Sequence, residues 1–173
     1  MVSSHLTNGL MMRIKTLSAT TAAVTATALA GAAATSGDVN SPWYAQLRKP
    51  RYQPPRQAFP IVWPLLYGDI ALVSAAVIDR LTEQNRAGET TAYRAALAVN
   101  LVLNAGWSWV FFNRHHTGLA AVTAAALTAS SADLTRRAVA AQNGRAAPLA
   151  AYPAWCAFAT MLSTHLWWIN RRG

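Results

Sequence analysis

Five apolar stretches constrain the fold of this chain more than any other feature. Hydrophobic residues make up 53% of its 173 residues and charged residues only 12%, which is too apolar for an ordinary soluble domain of this size. Most stretches approach the ~20 residues that a helix needs to cross a bilayer. The sequence therefore predicts one all-α domain, an integral multi-pass membrane bundle of five transmembrane helices with its termini on opposite sides. The predicted helices cover about residues 17–35, 60–78, 92–112, 119–134 and 149–169.

The first and fourth stretches owe their apolarity largely to alanine and threonine, which contribute little transfer energy per residue. Small side chains let helices approach closely in lipid, so either surface could carry the interface of a homodimer. The first stretch also follows Arg13 and Lys15 and ends in small residues, a pattern shared with cleavable secretory signals. Residues 1–12 are polar, and we expect a disordered extension there, with the transmembrane domain over 13–173.

A basic, proline-stiffened segment, residues 36–59, separates the first two stretches. Its prolines fix φ and keep the residues before them out of the helical region, so we expect an extended or turned loop rather than a helix. A stiff loop loses little entropy when it closes over a site. Its aromatic rings and four cations suit a membrane surface, so the sequence predicts a lid for anionic headgroups or an anionic amphipathic ligand. The lid residues of interest are Trp43, Lys49, Pro50, Pro54 and Pro55.

The formal net charge of +9 would suggest a nucleic-acid partner in a soluble chain. Here the cations lie at helix ends and in loops, so acidic lipid headgroups are the simpler partner and no nucleic acid is expected. Their distribution, eight on one side and seven on the other by the predicted topology, leaves the orientation open. Cys156 is the sole cysteine, which excludes intramolecular disulfides and cysteine-based zinc sites, and no metal site is expected.

The third stretch places Asn100, Asn104, Trp107 and Phe111 at intervals of 4, 3 and 4, and hence on one helical face. Amides are costly in a bilayer unless they meet partners, so both should point into the bundle. For Asn100 a contact between helices is the simpler interpretation. Asn104 could instead meet a ligand.

Two other stretches carry aromatic faces of the same kind. On the last stretch Trp155, Ala159 and Leu162 or Ser163 share a face, and on the second stretch two rings lie one turn apart. Such faces would wall a flat pocket for a rigid planar ligand, of which porphyrins and sterols are examples. For any single tryptophan, core packing or anchoring at the membrane surface is the alternative. The predicted ligand-binding residues are Trp63, Tyr67, Asn104, Trp107, Trp155, Ala159, Leu162 and Ser163.

Three blocks of this sequence resemble the TspO/MBR family, the tryptophan-rich sensory proteins of bacteria and the mitochondrial translocator protein. WYAQLRKPRYQPPRQAFPIVWPLLY (43–67) resembles the family signature, NLVLNAGWSWVFF (100–112) its third helix, and residues 152–170 its fifth. The resemblance implies a five-helix bundle, closed by the first loop, that binds tetrapyrroles such as protoporphyrin IX or haem, or a sterol, without a required cofactor. It carries over to Trp63, Asn104, Trp107, Trp155, Ala159 and Leu162.

The resemblance also implies two further roles. One is transport or stress sensing. The other is light-dependent porphyrin degradation, in which Trp63 and Trp155 would be catalytic. The chain carries no evident organelle signal, which favours a bacterial cell membrane.

The sequence departs from the family pattern at three places. Many relatives have Asn where this chain has Ser163, and the family's proline before the fifth-helix tyrosine is replaced by Ala151, with Pro153 after the tyrosine. Asp69 lies nine residues into the second stretch, where a carboxylate is expensive. We expect it to face the interior, either as a proton-relay or ligand-steering group or as a polar contact between helices.

Neither the histidines nor any enzyme motif points to a haem ligand or to a conventional active site. His115 and His116 follow Arg114 in a short turn, and His165 stands alone in the last stretch, so no dedicated axial ligand for haem is predicted. The sequence has no nucleotide-binding loop, nucleophile elbow, zinc signature or EF-hand spacing. This pattern disfavours a conventional enzyme.

Overall fold

The computed structural model describes residues 2–142 and 144–171, with their side chains except those of residues 2–10 and 12. Every regular element in this part of the chain is helical, and it contains no strand. This confirms the all-α class and adds one short helix to the five that were predicted. The helices are α1 (Val2–Ser36), α2 (Pro42–Gln46), α3 (Phe59–Glu83), α4 (Ala87–Ser108), α5 (Thr117–Ala141) and α6 (Ala151–Asn170).

The long helices extend beyond the apolar stretches. α3 continues to Glu83 and α5 to Ala141, although the apolar runs end near residues 78 and 134. α1 begins at Val2 and so takes in the backbone of residues for which the sequence predicts a disordered extension. Propagating an existing helix adds one hydrogen bond per residue, so the polar residues that follow an apolar run can remain helical outside the hydrocarbon.

Three helical stretches are long and apolar enough to cross a membrane, Arg13–Ser36, Arg56–Glu83 and Ala87–Asn113. The first is among them despite its alanine and threonine content. α5 and α6, both within the described part of the chain, do not reach the same hydropathy. α5 is rich in small residues and carries Asp133 and two arginines, whereas the rings of α6 have polar edges.

The lid contains a helix where only a loop was expected. The Oγ of Ser41 accepts a hydrogen bond from the N–H of Tyr44 at 3.2 Å, and Pro42 occupies the first turn. A serine cap followed by proline is a strong helix start, so the first proline of the lid begins α2. The other prolines lie outside α-helices, as predicted, with a turn closed by the N–H of Gln53 and the carbonyl of Pro50 at 3.0 Å.

α4 ends in a wide helical turn, Trp109–Asn113, closed by the N–H of Arg114 and the carbonyl of Trp109 at 3.1 Å. Such a turn holds one residue more than an α-turn. Phe111 and Phe112 are consecutive in sequence, yet both are buried, with their ring centroids 4.9 Å apart. The turn therefore directs both rings into the cluster beneath the lid.

The bundle is built from neighbouring helix pairs. α5 packs against α6 and α4, whereas α1 packs against α3 and α4, and the Thr20 hydroxyl of α1 donates to the carbonyl of Ala71 in α3 at 3.0 Å. The backbones of α3 and α6 make few contacts with one another, although the rings of Phe59 on α3 and Trp155 on α6 lie 6.0 Å apart. Pro153 falls in the first turn of α6, where its missing N–H would have had no intrahelical acceptor, so the shifted proline costs this helix no hydrogen bond.

Gly118 and Gly88 provide a matched pair for testing the packing of α5 against α6. Each is the second residue of a long helix, but a Cβ on Gly118 would lie 2.9 Å from Nε1 of Trp167, whereas a Cβ on Gly88 would meet no atom within 4 Å. We expect Gly118→Ala to lower the free energy of unfolding by about 1–3 kcal/mol through overpacking. Gly88→Ala should leave it unchanged or raise it slightly. Thermal melting in detergent, followed by circular dichroism, checks both, and equal midpoints would contradict this packing.

Candidate aromatic cleft and its lid

A chain of hydrogen bonds crosses the centre of the bundle. The Tyr67 hydroxyl donates to Oδ1 of Asn104 at 2.8 Å, and Nδ2 of Asn104 donates to the Tyr152 hydroxyl at 3.0 Å. That hydroxyl donates to Oδ1 of Asn100 at 2.8 Å, whose Nδ2 donates to the Ser130 hydroxyl at 3.2 Å. We call these five residues the amide network. It joins α3, α4, α6 and α5, and it satisfies polar groups that would be costly inside an apolar bundle.

Asn100 and Asn104 are buried, as the helical spacing predicts. Asn100 contacts α5 and α6 through its hydrogen bonds, which agrees with its expected role between helices. Asn104 instead lies between Tyr67 of α3 and Tyr152 of α6. Asn104 is therefore the amide that links α3 to α6 through its hydrogen bonds.

Aromatic side chains stand on both of these helices. On α3 the rings of Trp63 and Tyr67 are 5.3 Å apart, and on α6 the rings of Trp155 and Phe158 are 5.7 Å apart. All four are half-buried. We interpret the two pairs as the walls of a candidate cleft with Asn104 at its base; next to it, the ring of Phe59 on α3 lies 6.0 Å from that of Trp155 on α6. We call these five residues the aromatic cleft.

The remaining predicted site residues lie around this cleft. Ala159 is half-buried on α6, whereas Leu162 and Ser163 are buried. Trp107 stacks on Phe111 at 5.5 Å and belongs with Leu162 to the apolar cluster under the lid. Its indole Nε1 is buried and has no hydrogen-bond partner among the described residues, so it is a donor without an acceptor beneath the lid.

The lid is fastened to α6 at two points. The Tyr52 hydroxyl lies 3.0 Å from Nδ1 of His165, and its ring packs on Phe158 at 6.3 Å. The side chain of Asn170 accepts from the backbone N–H of Arg48 at 2.9 Å and donates to its carbonyl at 3.0 Å. His165 therefore has a structural partner, as predicted, and the lid crosses one wall of the cleft.

Lys49 contacts the lid itself, whereas the sequence suggested a cation for anionic headgroups or an anionic amphipathic ligand. Its Nζ donates to the Tyr44 carbonyl at 2.6 Å and lies 4.5 Å from the centre of the Tyr44 ring. Burial, and then repulsion by Arg56, lower the pKa of Lys49. Pro50 beside it is buried. The charge of Lys49 thus helps to hold the lid in shape, because the carbonyl and the ring of Tyr44 are its partners.

Trp43 also packs within the protein. Its ring stacks on His115 at 3.9 Å and meets Phe111 edge-on at 5.7 Å. His115 and His116 are exposed, as predicted for turn residues. Pro54 is half-buried and Pro55 is exposed in the extended part of the lid.

Asp69 and the terminal tryptophans lie outside the cleft. Asp69 is half-buried and forms no hydrogen bond or ion pair with the residues that the structure describes. Trp167 and Trp168 are exposed, and the guanidinium of Arg171 lies 3.5 Å from the Trp168 ring centre, an arrangement suited to a membrane surface. Among the described residues, no three His, Cys, Asp or Glu side chains are grouped so as to hold a metal ion.

Sequence comparison identifies the family of this chain. The TspO/MBR family model matches residues 19–169. The chain belongs to the TspO/MBR family. It is 39% identical over 99 residues to the tryptophan-rich sensory protein of Cereibacter sphaeroides, covering 55% of this chain and 58% of that protein. It is 33% identical over 130 residues to the translocator protein of Ovis aries, covering 75% of each chain.

A third relative is protein CrtK of Rhodobacter capsulatus, 36% identical over 92 residues, with 52% of this chain and 54% of that protein covered. The chain thus spans little more than half the length of the two bacterial relatives and three quarters of the sheep protein. Within this TspO/MBR membrane protein, sequence reasoning overlooked Tyr152, Phe158, Tyr52 and Asn170 as parts of the site. Tyr152 had a local signal, because it lies one turn before Trp155 and shares its face.

The amide network should stabilise the bundle mainly through Tyr152. We expect Tyr152→Phe to lower the free energy of unfolding by about 1–3 kcal/mol, because Asn100 and Asn104 would each lose a buried partner. Ser130→Ala, which removes only the terminal 3.2 Å bond at a half-buried position, should cost clearly less. Melting midpoints in detergent test the difference, and equal losses would show that Tyr152 is not the centre of the network.

The tie between the lid and α6 predicts protection from protease. Asn170→Ala should speed tryptic cleavage after Arg48 and Arg51 severalfold, because the backbone of Arg48 loses two hydrogen bonds. Asn113→Ala is the control, since Asn113 is exposed and its side chain makes no hydrogen bond with the described residues. Unchanged cleavage in Asn170→Ala would mean that these bonds do not hold the lid.

Proposed function

We propose that this TspO/MBR protein spans the membrane with α1, α3, α4, α5 and α6 and binds a porphyrin such as protoporphyrin IX or haem in the aromatic cleft. The three apolar spans support α1, α3 and α4 as membrane helices. α5 and α6 have 25 and 20 residues, or about 37 and 30 Å at 1.5 Å per residue, which suffices for a hydrocarbon core of ~30 Å. Their mutual packing offsets their lower hydropathy.

The observation that carries the proposal is the combination of aromatic side chains and a central amide between two helices whose backbones make few contacts. Trp63 and Tyr67 on one side and Trp155 and Phe158 on the other offer flat apolar surfaces. A rigid macrocycle buries both faces at little entropic cost. The amide of Asn104 has one N–H beyond the one that it donates to Tyr152, and in apolar pockets a small number of such polar groups fixes the orientation of a ligand.

The charges of the lid suit the carboxylates of a porphyrin. Arg51 and Arg56 are exposed on the lid, and Arg56 donates to Oδ1 of Asn40 at 3.1 Å. Anionic groups at the ring edge would meet these cations while the macrocycle enters the apolar cleft. Guanidinium groups are well matched to carboxylates in geometry as well as charge.

Family membership and the relatives' names, sensory protein and translocator protein, support transport or sensing as the purpose of binding. The bacterial relatives support a bacterial cell membrane as its location, and the small-residue surfaces of α1 and α5 would suit a homodimer. Sterol binding is the alternative for a flat apolar ligand. The second candidate function is light- and oxygen-dependent porphyrin degradation, which the half-buried indoles of Trp63 and Trp155 favour. One indole would give an electron to the excited porphyrin, and dioxygen would take that electron from the porphyrin radical anion to form superoxide. The indole radical cation would then regain an electron from the ground-state porphyrin, and superoxide would add to the porphyrin radical cation, so that dioxygen is the net oxidant of the macrocycle.

Titration with protoporphyrin IX tests the proposed binding. The purified full chain in detergent should show saturable quenching of tryptophan fluorescence, and Trp63→Ala or Trp155→Ala should weaken binding about tenfold because a wall of the cleft is lost. Trp109→Phe is the control, since Trp109 is 46% exposed and outside the cleft. Absence of saturable quenching would refute porphyrin binding, and saturable binding of a sterol instead would favour the alternative ligand.

Illumination of the same complex separates binding from degradation. A stable porphyrin spectrum in light and air would support binding or transport alone. Loss of the porphyrin bands, slowed in Trp155→Phe and absent without oxygen, would establish degradation. Loss at the same rate in Trp155→Phe and in free solution would rule out an enzymatic role for that indole.

A further inference from the structure

A second surface feature lies at the opposite end of the bundle from the lid. A groove of about 470 Å³ runs between α1, α3 and α4. Its base consists of buried side chains of α3 and α4, and its α1 side is formed by small residues. The groove residues used below are Lys15, Ala19, Ala23, Ile78, Arg94, Leu97 and Leu101.

The groove is apolar along its length and cationic at one end. Ala19 and Ala23 face Leu97 and Leu101 across it, whereas Lys15 lies at the end nearest the beginning of the apolar span of α1. From Lys15 to Ala23 the helix rises about 12 Å, close to the ~15 Å of hydrocarbon in one leaflet. Both flanking helices, α1 and α4, are candidate membrane spans, so the groove opens toward lipid.

The two cations of the groove lack acidic partners. Lys15 and Arg94 form no hydrogen bond or ion pair with the residues that the structure describes. Among the described acids at this end of the bundle, Glu83 pairs with Arg13 at 3.2 Å and Glu89 pairs with Arg86. Asp79, which follows the groove residue Ile78 in α3, is buried, and its Oδ1 has no hydrogen-bond partner among the described residues. Two unpartnered cations beside an apolar channel are complementary to one anionic head and one hydrocarbon chain.

We propose that this groove binds one anionic phospholipid, with its phosphate between Lys15 and Arg94 and an acyl chain along Ala19, Ala23 and Leu101. The lipid belongs to the leaflet opposite the lid. The site is separate from the aromatic cleft, since the two share no residue. The charge at its end selects an anionic over a zwitterionic lipid, because the phosphate of a zwitterionic head already has a cation of its own.

Native mass spectrometry of the detergent-solubilised full chain tests the site with dioleoyl phosphatidylglycerol and dioleoyl phosphatidylcholine as probes. We expect one saturable phosphatidylglycerol per chain and weaker binding of phosphatidylcholine. Lys15→Gln and Arg94→Gln should each weaken phosphatidylglycerol binding about fivefold, as expected for one cation near a headgroup. Both side chains are exposed, so circular dichroism should show unchanged folding.

Arg145→Gln is the matched control. Arg145 is exposed at the same end of the bundle and is outside the groove, so its loss should leave phosphatidylglycerol binding unchanged. Ala23→Phe should block the acyl channel and weaken binding without a change of charge. Equal binding of the two lipids, or an equal loss in Arg145→Gln, would overturn the proposal. Occupation of the groove by a second copy of the chain would also overturn the proposal. In that case the chain would form a dimer that binds no phosphatidylglycerol and that Ala23→Phe dissociates.

Discussion

The hydrogen bonds of the Tyr152 hydroxyl are the interaction on which the rest of this structure depends. Inside an apolar bundle a polar side chain must find its partners within the protein. Tyr152 is fully buried and both accepts from Asn104 and donates to Asn100. Through those amides it connects α6 to Tyr67 of α3 and to Ser130 of α5. Since the backbones of α3 and α6 make few contacts with each other, the network, together with the Phe59–Trp155 ring contact at 6.0 Å, helps to set how far apart the aromatic walls stand.

α6 contributes residues to three features of the structure. It contributes Tyr152 to the network, Trp155 and Phe158 to the cleft, and His165 and Asn170 to the fastening of the lid. A shift of this helix would therefore alter the width of the cleft and the position of the lid together. Because Tyr52 packs on Phe158, the lid covers part of the α6 side of the aromatic cleft.

Local patterns sufficed for the existence of the five long helices and for the faces of the central ones, but not for the helix ends or for α2. Apolar length marks α3 and α4, and the spacing of Asn100 and Asn104 indicates their inward direction, because helical period and burial are both encoded locally. The sequence pattern did not reveal how the lid is held. The contacts of Arg48 with Asn170 and of Tyr52 with His165 join residues more than a hundred positions apart, and no local rule pairs them. The inward turn of Lys49 was missed for a related reason, since its partner is a backbone carbonyl, which is present at every residue.

Helical geometry bears on whether Asp69 steers a ligand, a role that the sequence leaves open. It follows Tyr67 by two residues, so at 3.6 residues per turn the two side chains leave α3 about 200° apart. Tyr67 points to Asn104 and the cleft, and Asp69 therefore points away from both. A role in steering a ligand within the cleft is not favoured by this arrangement. The carboxylate is half-buried without a partner in the described chain, so the cost of placing it in an apolar span is not offset by the amide network.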